Sequence, residues 1–169
     1  MSRIQLALNV DDIEAVTAFY AKLFGVSPAK TRPGYANFAI ADPPLKLVLL
    51  ENPGQGGTLN HLGVEVGSTS AVEAEQQRLT DAGLATTDER GTTCCYATQD
   101  KFWVAGTPGG ENWEFYTVLA DSPTFFADQV GATRGGAQDV AGAGRAARPA
   151  SACCQSAESA SDAVPASTG

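Results

Sequence analysis

The chain has 169 residues, 11 Lys plus Arg against 19 Asp plus Glu, a net charge of −8, 43% hydrophobic residues and a single His. That length allows one domain or two small repeats with enough apolar residues for a core, and an acidic balance without basic clusters argues against DNA or RNA as a partner. No apolar run reaches the roughly 18 residues of a membrane span and the N-terminus does not read as a leader, so the expected setting is the cytoplasm with no membrane partner.

Taken in chain order, Ile4, Leu6, Leu8 and Val10 alternate with Arg3, Gln5, Ala7 and Asn9, a period-two strand with one apolar face. Asp11-Asp12 then opens a helix through Val16, Phe19, Tyr20 and Leu23, with Gly25 where a left-handed C-cap belongs. Short strands are expected at about 27–32, 35–41 and 45–51, separated by Arg32-Pro33-Gly34 and Asp42-Pro43-Pro44. Gly54-Gln55-Gly56-Gly57 has neither the strand-to-helix context nor the Lys of a phosphate loop and reads as a flexible linker. The pattern then repeats: Leu62, Val64 and Val66 alternate with His61, Gly63 and Glu65, Ser68/Thr69 opens a helix that ends near Gly83, and strands follow at about 86–90, 101–106 and 112–119. Gln5 and His61 occupy equivalent places, each five residues before the Val that ends its strand.

The expected architecture is therefore α+β, two βαβββ modules at about 1–52 and 58–120 whose curled sheets face a shared cavity, within a domain spanning 1–126. Every aromatic residue lies at or before Phe126, so the Ala/Gly/Ser-rich segment 127–169 reads as a disordered tail, including its Cys153-Cys154 pair.

In the last strand Glu114, Tyr116 and Val118 share a face, and the first module offers only Leu47 near the position matching Glu114. The single His excludes any centre needing two imidazoles from one chain. His61 and Glu114, with the side-chain oxygen of Gln5, make a candidate three-donor metal site suited to Fe(II), Mn(II), Ni(II) or Zn(II), with Fe(II) favoured where open positions must receive substrate and dioxygen. Taken singly, His61 also reads as a packed core residue and Glu114 as a solvated carboxylate. The second constellation is Thr92-Thr93-Cys94-Cys95-Tyr96, in a segment that makes the second module longer. Neighbouring thiolates can chelate one soft centre such as trivalent arsenic or cadmium; the alternative is two small buried hydrophobes. Asp100-Lys101 and Gly91-Thr92-Thr93 point to an exposed loop with accessible thiols. No Ser/His/Asp triad assembles.

The stretches Gln5-Leu6-Ala7-Leu8-Asn9-Val10, Pro33-Gly34-Tyr35-Ala36-Asn37-Phe38, Asn60-His61-Leu62-Gly63-Val64-Glu65-Val66 and Thr92-Thr93-Cys94-Cys95 together resemble the ArsI/CadI group of the vicinal-oxygen-chelate superfamily, over about residues 1–126. The resemblance implies the vicinal-oxygen-chelate fold and an Fe(II)-dependent dioxygenase, a carbon–arsenic lyase acting on trivalent organoarsenicals in arsenic detoxification. It implies Gln5, His61 and Glu114 as iron ligands, with another divalent metal as the variant case, dioxygen as cosubstrate, and Cys94 and Cys95 as the arsenic-binding pair in a monomer or homodimer. Two other readings stay open: a non-catalytic cadmium- or arsenic-binding protein, and a glyoxalase-like metal-dependent lyase, whose usual four-ligand pattern is at odds with the apolar Leu47.

Overall fold

The structure, a computed structural model, describes residues 2–126; the expected tail at 127–169, with Cys153-Cys154, lies outside the described residues. The alternation in the first strand, β1 (Arg3–Val10), separates its two faces: Gln5, Ala7 and Asn9 are buried on one side, while Leu6, Leu8 and Val10 pack against helix α1 (Ile13–Phe24) on the other. The Asp12 carboxylate accepts a hydrogen bond from the Ala15 amide at 2.9 Å to cap α1, which ends at Gly25 with φ 65°. Strands β2 (Lys30–Arg32), β3 (Tyr35–Ile40) and β4 (Leu45–Glu51) complete the first half. The second half repeats the order with β5 (Leu59–Glu65), α2 (Thr69–Asp81), β6 (Thr86–Cys94), β7 (Ala97–Val104) and β8 (Trp113–Asp121). Ser68 caps α2 by accepting from the Ala71 amide at 3.2 Å.

All eight strands join one mixed sheet, ordered β2-β3-β4-β1-β5-β8-β7-β6. β1 runs parallel to β4 and β5 parallel to β8, and the halves meet along the antiparallel β1–β5 seam within a single chain. The sheet curls until its far ends touch: Lys30 Nζ in β2 donates to the Tyr96 carbonyl at 3.2 Å and to Asp121 at 2.5 Å, and the Tyr96 hydroxyl donates to the Pro33 carbonyl at 3.2 Å. Both helices cover the convex side. Ile13, Val16, Tyr20 and Phe24 of α1 pack on Phe38, Leu47 and Leu49, and Val72 and Leu79 of α2 pack on Phe102 and Val66. The polar alternate positions line the concave side.

Three expectations change. Phe19 and Leu23 do not face the core but stand exposed on α1, because only Val16 and Tyr20 of that apolar stripe fall on the sheet-facing side. The Gly54–Gly57 segment is not a free linker: the amides of Gly54 and Gly56 both donate to Asp11 Oδ1, at 2.7 and 3.1 Å, and a Cβ on Gly56 would stand 2.2 Å from Asp11 Oδ2. Finally, residues 91–100 are no exposed loop. β6 and β7 run on as an antiparallel hairpin to a two-residue turn at Cys95 and Tyr96, with Cys94 opposite Ala97.

Candidate metal centre and its thiol turn

Strand register assembles the site. On the concave face Gln5 of β1 lies opposite Gly63 of β5, and Gly63 lies opposite Glu114 of β8, so a residue without a side chain separates two polar ones. A Cβ on Gly63 would come 3.1 Å from Glu114 Cγ and 3.3 Å from Gln5 Cβ, closer than ordinary packing. His61, two residues back on β5, points to the same spot. Gln5 Nε2 lies 2.9 Å from His61 Nε2 and 2.8 Å from Glu114 Oε1, and His61 Nε2 lies 3.3 Å from Glu114 Oε1. All three residues are at most 4% exposed.

The His61 Nε2 to Glu114 Oε1 separation fits one cation, because bonds of about 2.1 Å meeting at right angles place neighbouring donors about 3.0 Å apart. Gln5 presents its amide nitrogen to them, so its oxygen completes a hard, mixed N/O face suited to a divalent first-row metal only with the amide turned over. Among the described residues no group of three or more His, Cys, Asp or Glu side chains is placed to hold a metal.

The surrounding groups prepare each donor. Burial opposes ionisation of Glu114, but the Lys101 ammonium at 3.2 Å from its Oε2 leads the interactions that outweigh burial and hold its pKa at about 2. Glu114 therefore stays a carboxylate, with Oε2 occupied by Lys101 and Oε1 turned to His61 and Gln5. Lys101 is itself 0% exposed, with Glu89 at 3.6 Å and its Nζ 4.9 Å from the centre of the Trp103 ring. His61 Nδ1 meets Asn60 Oδ1 at 2.7 Å, Asn60 Nδ2 donates to Asn9 Oδ1 at 2.8 Å, and Asn9 Nδ2 donates to Thr58 Oγ1 at 2.9 Å. That chain leaves Asn60 Oδ1 as an acceptor, so Nδ1 carries the proton and Nε2 presents its lone pair to the site. The Trp103 ring packs edge-on against His61.

The other end of Gln5 meets a second cluster. Its Oε1 lies 2.5 Å from the Tyr116 hydroxyl, which is also 2.9 Å from Glu65 Oε2. Glu65 is held by Arg3 at 3.1 Å and Lys46 at 3.1 Å; burial opposes its ionisation, but the neighbouring Lys46 leads the cations and hydrogen bonds that lower its pKa.

Adjacent residues of an extended strand point to opposite faces, so a Cys-Cys pair cannot address one centre from a straight β-strand. Here Cys95 and Tyr96 adopt left-handed φ values of 55° and 60°, and the turn brings Cys94 Sγ and Cys95 Sγ to 3.2 Å. Cys94 is disulfide-bonded, and 3.2 Å is a non-bonded separation from Cys95. Cys94 is fully buried and Cys95 half-buried. Burial raises the Tyr35 pKa, and Cys95, then Glu114, raise it further; Lys101 likewise has burial lowering its pKa while Glu114, Glu89 and Cys95 raise it to a net upward shift.

The structure thus brings Gln5, His61 and Glu114 together and sets Cys94 and Cys95 side by side. It also shows what the pattern of residues misses. Leu47 is not the counterpart of Glu114: it faces α1, and alternation puts Val48 on the concave face, opposite Ala7 as Glu114 is opposite Gly63. Lys101 was the signal for an exposed loop, yet two carboxylates neutralise it in the interior. Asn9 and Tyr116 share the faces of Gln5 and Glu114, so periodicity alone could have found them; Gly63 and Lys101 needed the register.

The profile of the Glyoxalase/Bleomycin resistance protein/Dioxygenase superfamily matches residues 3–115. Cadmium-induced protein CadI of Mycobacterium bovis is 75% identical over 125 residues, covering 74% of this chain and 82% of that protein. A trivalent organoarsenical cleaving enzyme of Thermomonospora curvata is 61% identical over 125 residues, covering 73% and 82%. In fold, the chain is similar to an Mn(II)-bound glyoxalase from Novosphingobium aromaticivorans, with a TM-score of 0.50 at 20% identity over 72% of this chain and 42% of the other.

Proposed function

Starting from the fact that the chain belongs to the glyoxalase/bleomycin resistance protein/dioxygenase superfamily, we propose that it is an Fe(II)-dependent dioxygenase that cleaves the carbon–arsenic bond of trivalent organoarsenicals and releases arsenite. The observation that carries this reading is the pairing of two donor sets in one domain: the buried Gln5, His61 and Glu114 cluster, whose polar atoms lie 2.8–3.3 Å apart, and the Cys94–Cys95 turn, whose sulfurs lie 3.2 Å apart. A thiol pair together with a hard N/O ligand set suits a substrate that is soft at arsenic and is oxidised at carbon. The similarity to a protein named for organoarsenical cleavage, at 61% identity, supports the same reading.

Cys94 and Cys95 in their reduced form exchange for the two hydroxyls of RAs(OH)₂, forming two As–S bonds and releasing two waters while the As–C bond stays intact. With metal–thiolate-like bonds of about 2.3 Å, the 3.2 Å span between the sulfurs subtends about 90° at the bridged atom, the angle of a pyramidal trivalent centre and well below the tetrahedral one. Gln5, His61 and Glu114 would hold the divalent ion, and Fe(II) bound there would supply the activation of dioxygen that organic side chains cannot. Lys101 keeps Glu114 ionised and occupies its Oε2. Trp103 Nε1 and Gln99 Oε1, buried on the concave face without hydrogen-bond partners, offer one donor and one acceptor to the bound arsenical. All three proposed ligands come from one chain, so a monomer suffices and a homodimer is compatible. A dithiol that works reduced supports a cytoplasmic setting; no helix among the described residues is long and apolar enough to cross a membrane.

The assay is arsenite release from methylarsonous acid by Fe(II)-loaded protein, with thiol reductant present, in air and under nitrogen. Oxygen-dependent release is expected, and its loss in Cys94→Ser/Cys95→Ser together with retained Fe(II) binding. Stoichiometric capture of arsenic or cadmium with no arsenite formed, in air as under nitrogen, would establish the competing reading of a sequestering protein, which the name of the 75% identical relative brings forward. A four-ligand, glyoxalase-like centre is disfavoured by Val48, which puts an apolar side chain where the first half would have to supply a fourth donor.

A further inference from the structure

The Gln5 amide stands between two groups that make opposite demands on it. Inward, both neighbours are acceptors: His61 Nε2 at 2.9 Å and Glu114 Oε1 at 2.8 Å. The two hydrogens of Nε2 satisfy both, so the NH₂ group occupies the place of a cation. Outward, Gln5 Oε1 and Glu65 Oε2 both face the Tyr116 hydroxyl, at 2.5 and 2.9 Å. Both are acceptors, and the hydroxyl has one proton, so one of these contacts goes without a hydrogen.

Turning the amide over reverses the account. Nε2 would then donate to the Tyr116 oxygen and the Tyr116 proton would go to Glu65, satisfying every outward group. Inward, Oε1 would face a carboxylate oxygen and an imidazole lone pair, an arrangement of three acceptors that is stable only around a cation. Tyr116 has 0% exposure and Glu65 is anchored by Arg3 and Lys46, so neither can turn away to relieve the conflict.

We propose that Tyr116 and Glu65 are positioning residues that select the metal-binding orientation of the Gln5 amide, which turns over when the ion enters: its NH₂ end donates to His61 and Glu114 without the ion, and its oxygen end faces the ion when it is bound. Tyr116 and Glu65 bind no metal; they act through Gln5. The inference rests on the reading of Gln5, His61 and Glu114 as metal ligands.

The test uses the full chain labelled with ¹⁵N, with and without Zn(II), a diamagnetic ion that takes the same N and O donors. The Gln5 side-chain NH₂ protons should show nuclear Overhauser contacts to His61 Hε1 in the metal-free protein and to the Tyr116 ring protons after Zn(II) is added. Tyr116→Phe removes one more hydrogen bond from the turned-over state than from the other. It should therefore weaken Zn(II) binding about tenfold. If Zn(II) shifts the His61 ring signals but the Gln5 NH₂ protons keep their contact to His61, the reorientation is wrong and the ligand assignment stands. If Zn(II) leaves the His61 signals unmoved, both fall. Unchanged Zn(II) affinity in folded Tyr116→Phe also overturns the proposal, and the Overhauser measurement on the unsubstituted protein decides the matter if that variant does not fold.

Discussion

The first half of the molecule turns from β2 to β3 through Pro33-Gly34, with Gly34 at φ 67°, whereas the second turns from β6 to β7 through Cys95 and Tyr96 at φ 55° and 60°. A left-handed backbone costs nothing special at glycine and about 1–2 kcal/mol at each other residue. The halves also differ in the strands that carry the turns: β2 has 3 residues and β3 has 6, against 9 in β6 and 8 in β7. The long second hairpin reaches across the curled sheet to Tyr35 and Lys30 and presents two sulfurs at its tip. On the concave face the second half places His61, Lys101 and Glu114 where the first places Gln5, Tyr35 and Val48. The same βαβββ order thus puts His61, Glu114 and the cysteine pair in the second half and Gln5 in the first, and the unfavourable turn geometry sits in the second.

The largest break in this asymmetry should come from Glu114→Gln. Removing one charge from a buried pair costs about 3–5 kcal/mol in general, and Glu89 at 3.6 Å from Lys101 tempers the loss here to about 3 kcal/mol. Chemical denaturation should show that loss, and metal analysis should show no retained iron. The pH dependence of the metal-free protein adds a sign. Because the folded pKa of Glu114 is depressed to about 2 from its ordinary 4.5, its contribution to stability is complete above that unfolded value and disappears as pH falls from about 4.5 through about 2. Glu114→Gln should flatten the decline in that window; an unaltered acid limb would mean that the Lys101–Glu114 contact contributes no stability.

Gly63→Ala sharpens the comparison at the centre of the sheet. Ala7, its equivalent in the first half, carries a Cβ without difficulty because its neighbours are Val48 and His61. A Cβ at Gly63 instead presses on Glu114 Cγ at 3.1 Å and Gln5 Cβ at 3.3 Å. Overpacking of that size costs on the order of 1 kcal/mol, and displaced ligands lower metal affinity about tenfold. Metal titration against thermal unfolding separates the two effects; full affinity in the variant would show that the ligands do not depend on the gap between them.

The fold was largely readable because its signals are local. Period-two alternation sorts Gln5 from Leu6 and Glu114 from Phe115, and Asp12, Ser68 and Gly25 mark helix ends whatever the rest of the chain does. Candidate ligands could be named because one His leaves few combinations. What stayed hidden depends on pairing between strands distant in sequence. Nothing near Lys101 announces Glu114, 13 residues away on the next strand, so a charge that two carboxylates bury was read as a sign of solvent. Gly63 looks like an ordinary strand glycine until register places it between Gln5 and Glu114. The Cys94-Cys95 pair was legible as chemistry but not as geometry, since no glycine or asparagine flags its left-handed turn.

That turn supplies the smallest and most specific effect. Asn tolerates the left-handed region far better than Cys, so Cys95→Asn should relieve part of the local cost and raise stability by a few tenths to about 1 kcal/mol, read as a higher unfolding midpoint. The same variant should lose capture of a trivalent arsenical, assayed with reductant present, while binding divalent metal as before. The proposed role explains why an unfavourable pair of dihedrals occupies this position: extended backbone would send the two sulfurs to opposite faces of the sheet, and only the turned conformation sets them 3.2 Å apart. A lower midpoint in Cys95→Asn would show instead that packing of the Cys95 side chain stabilises the turn, leaving no conformational cost for arsenical binding to explain.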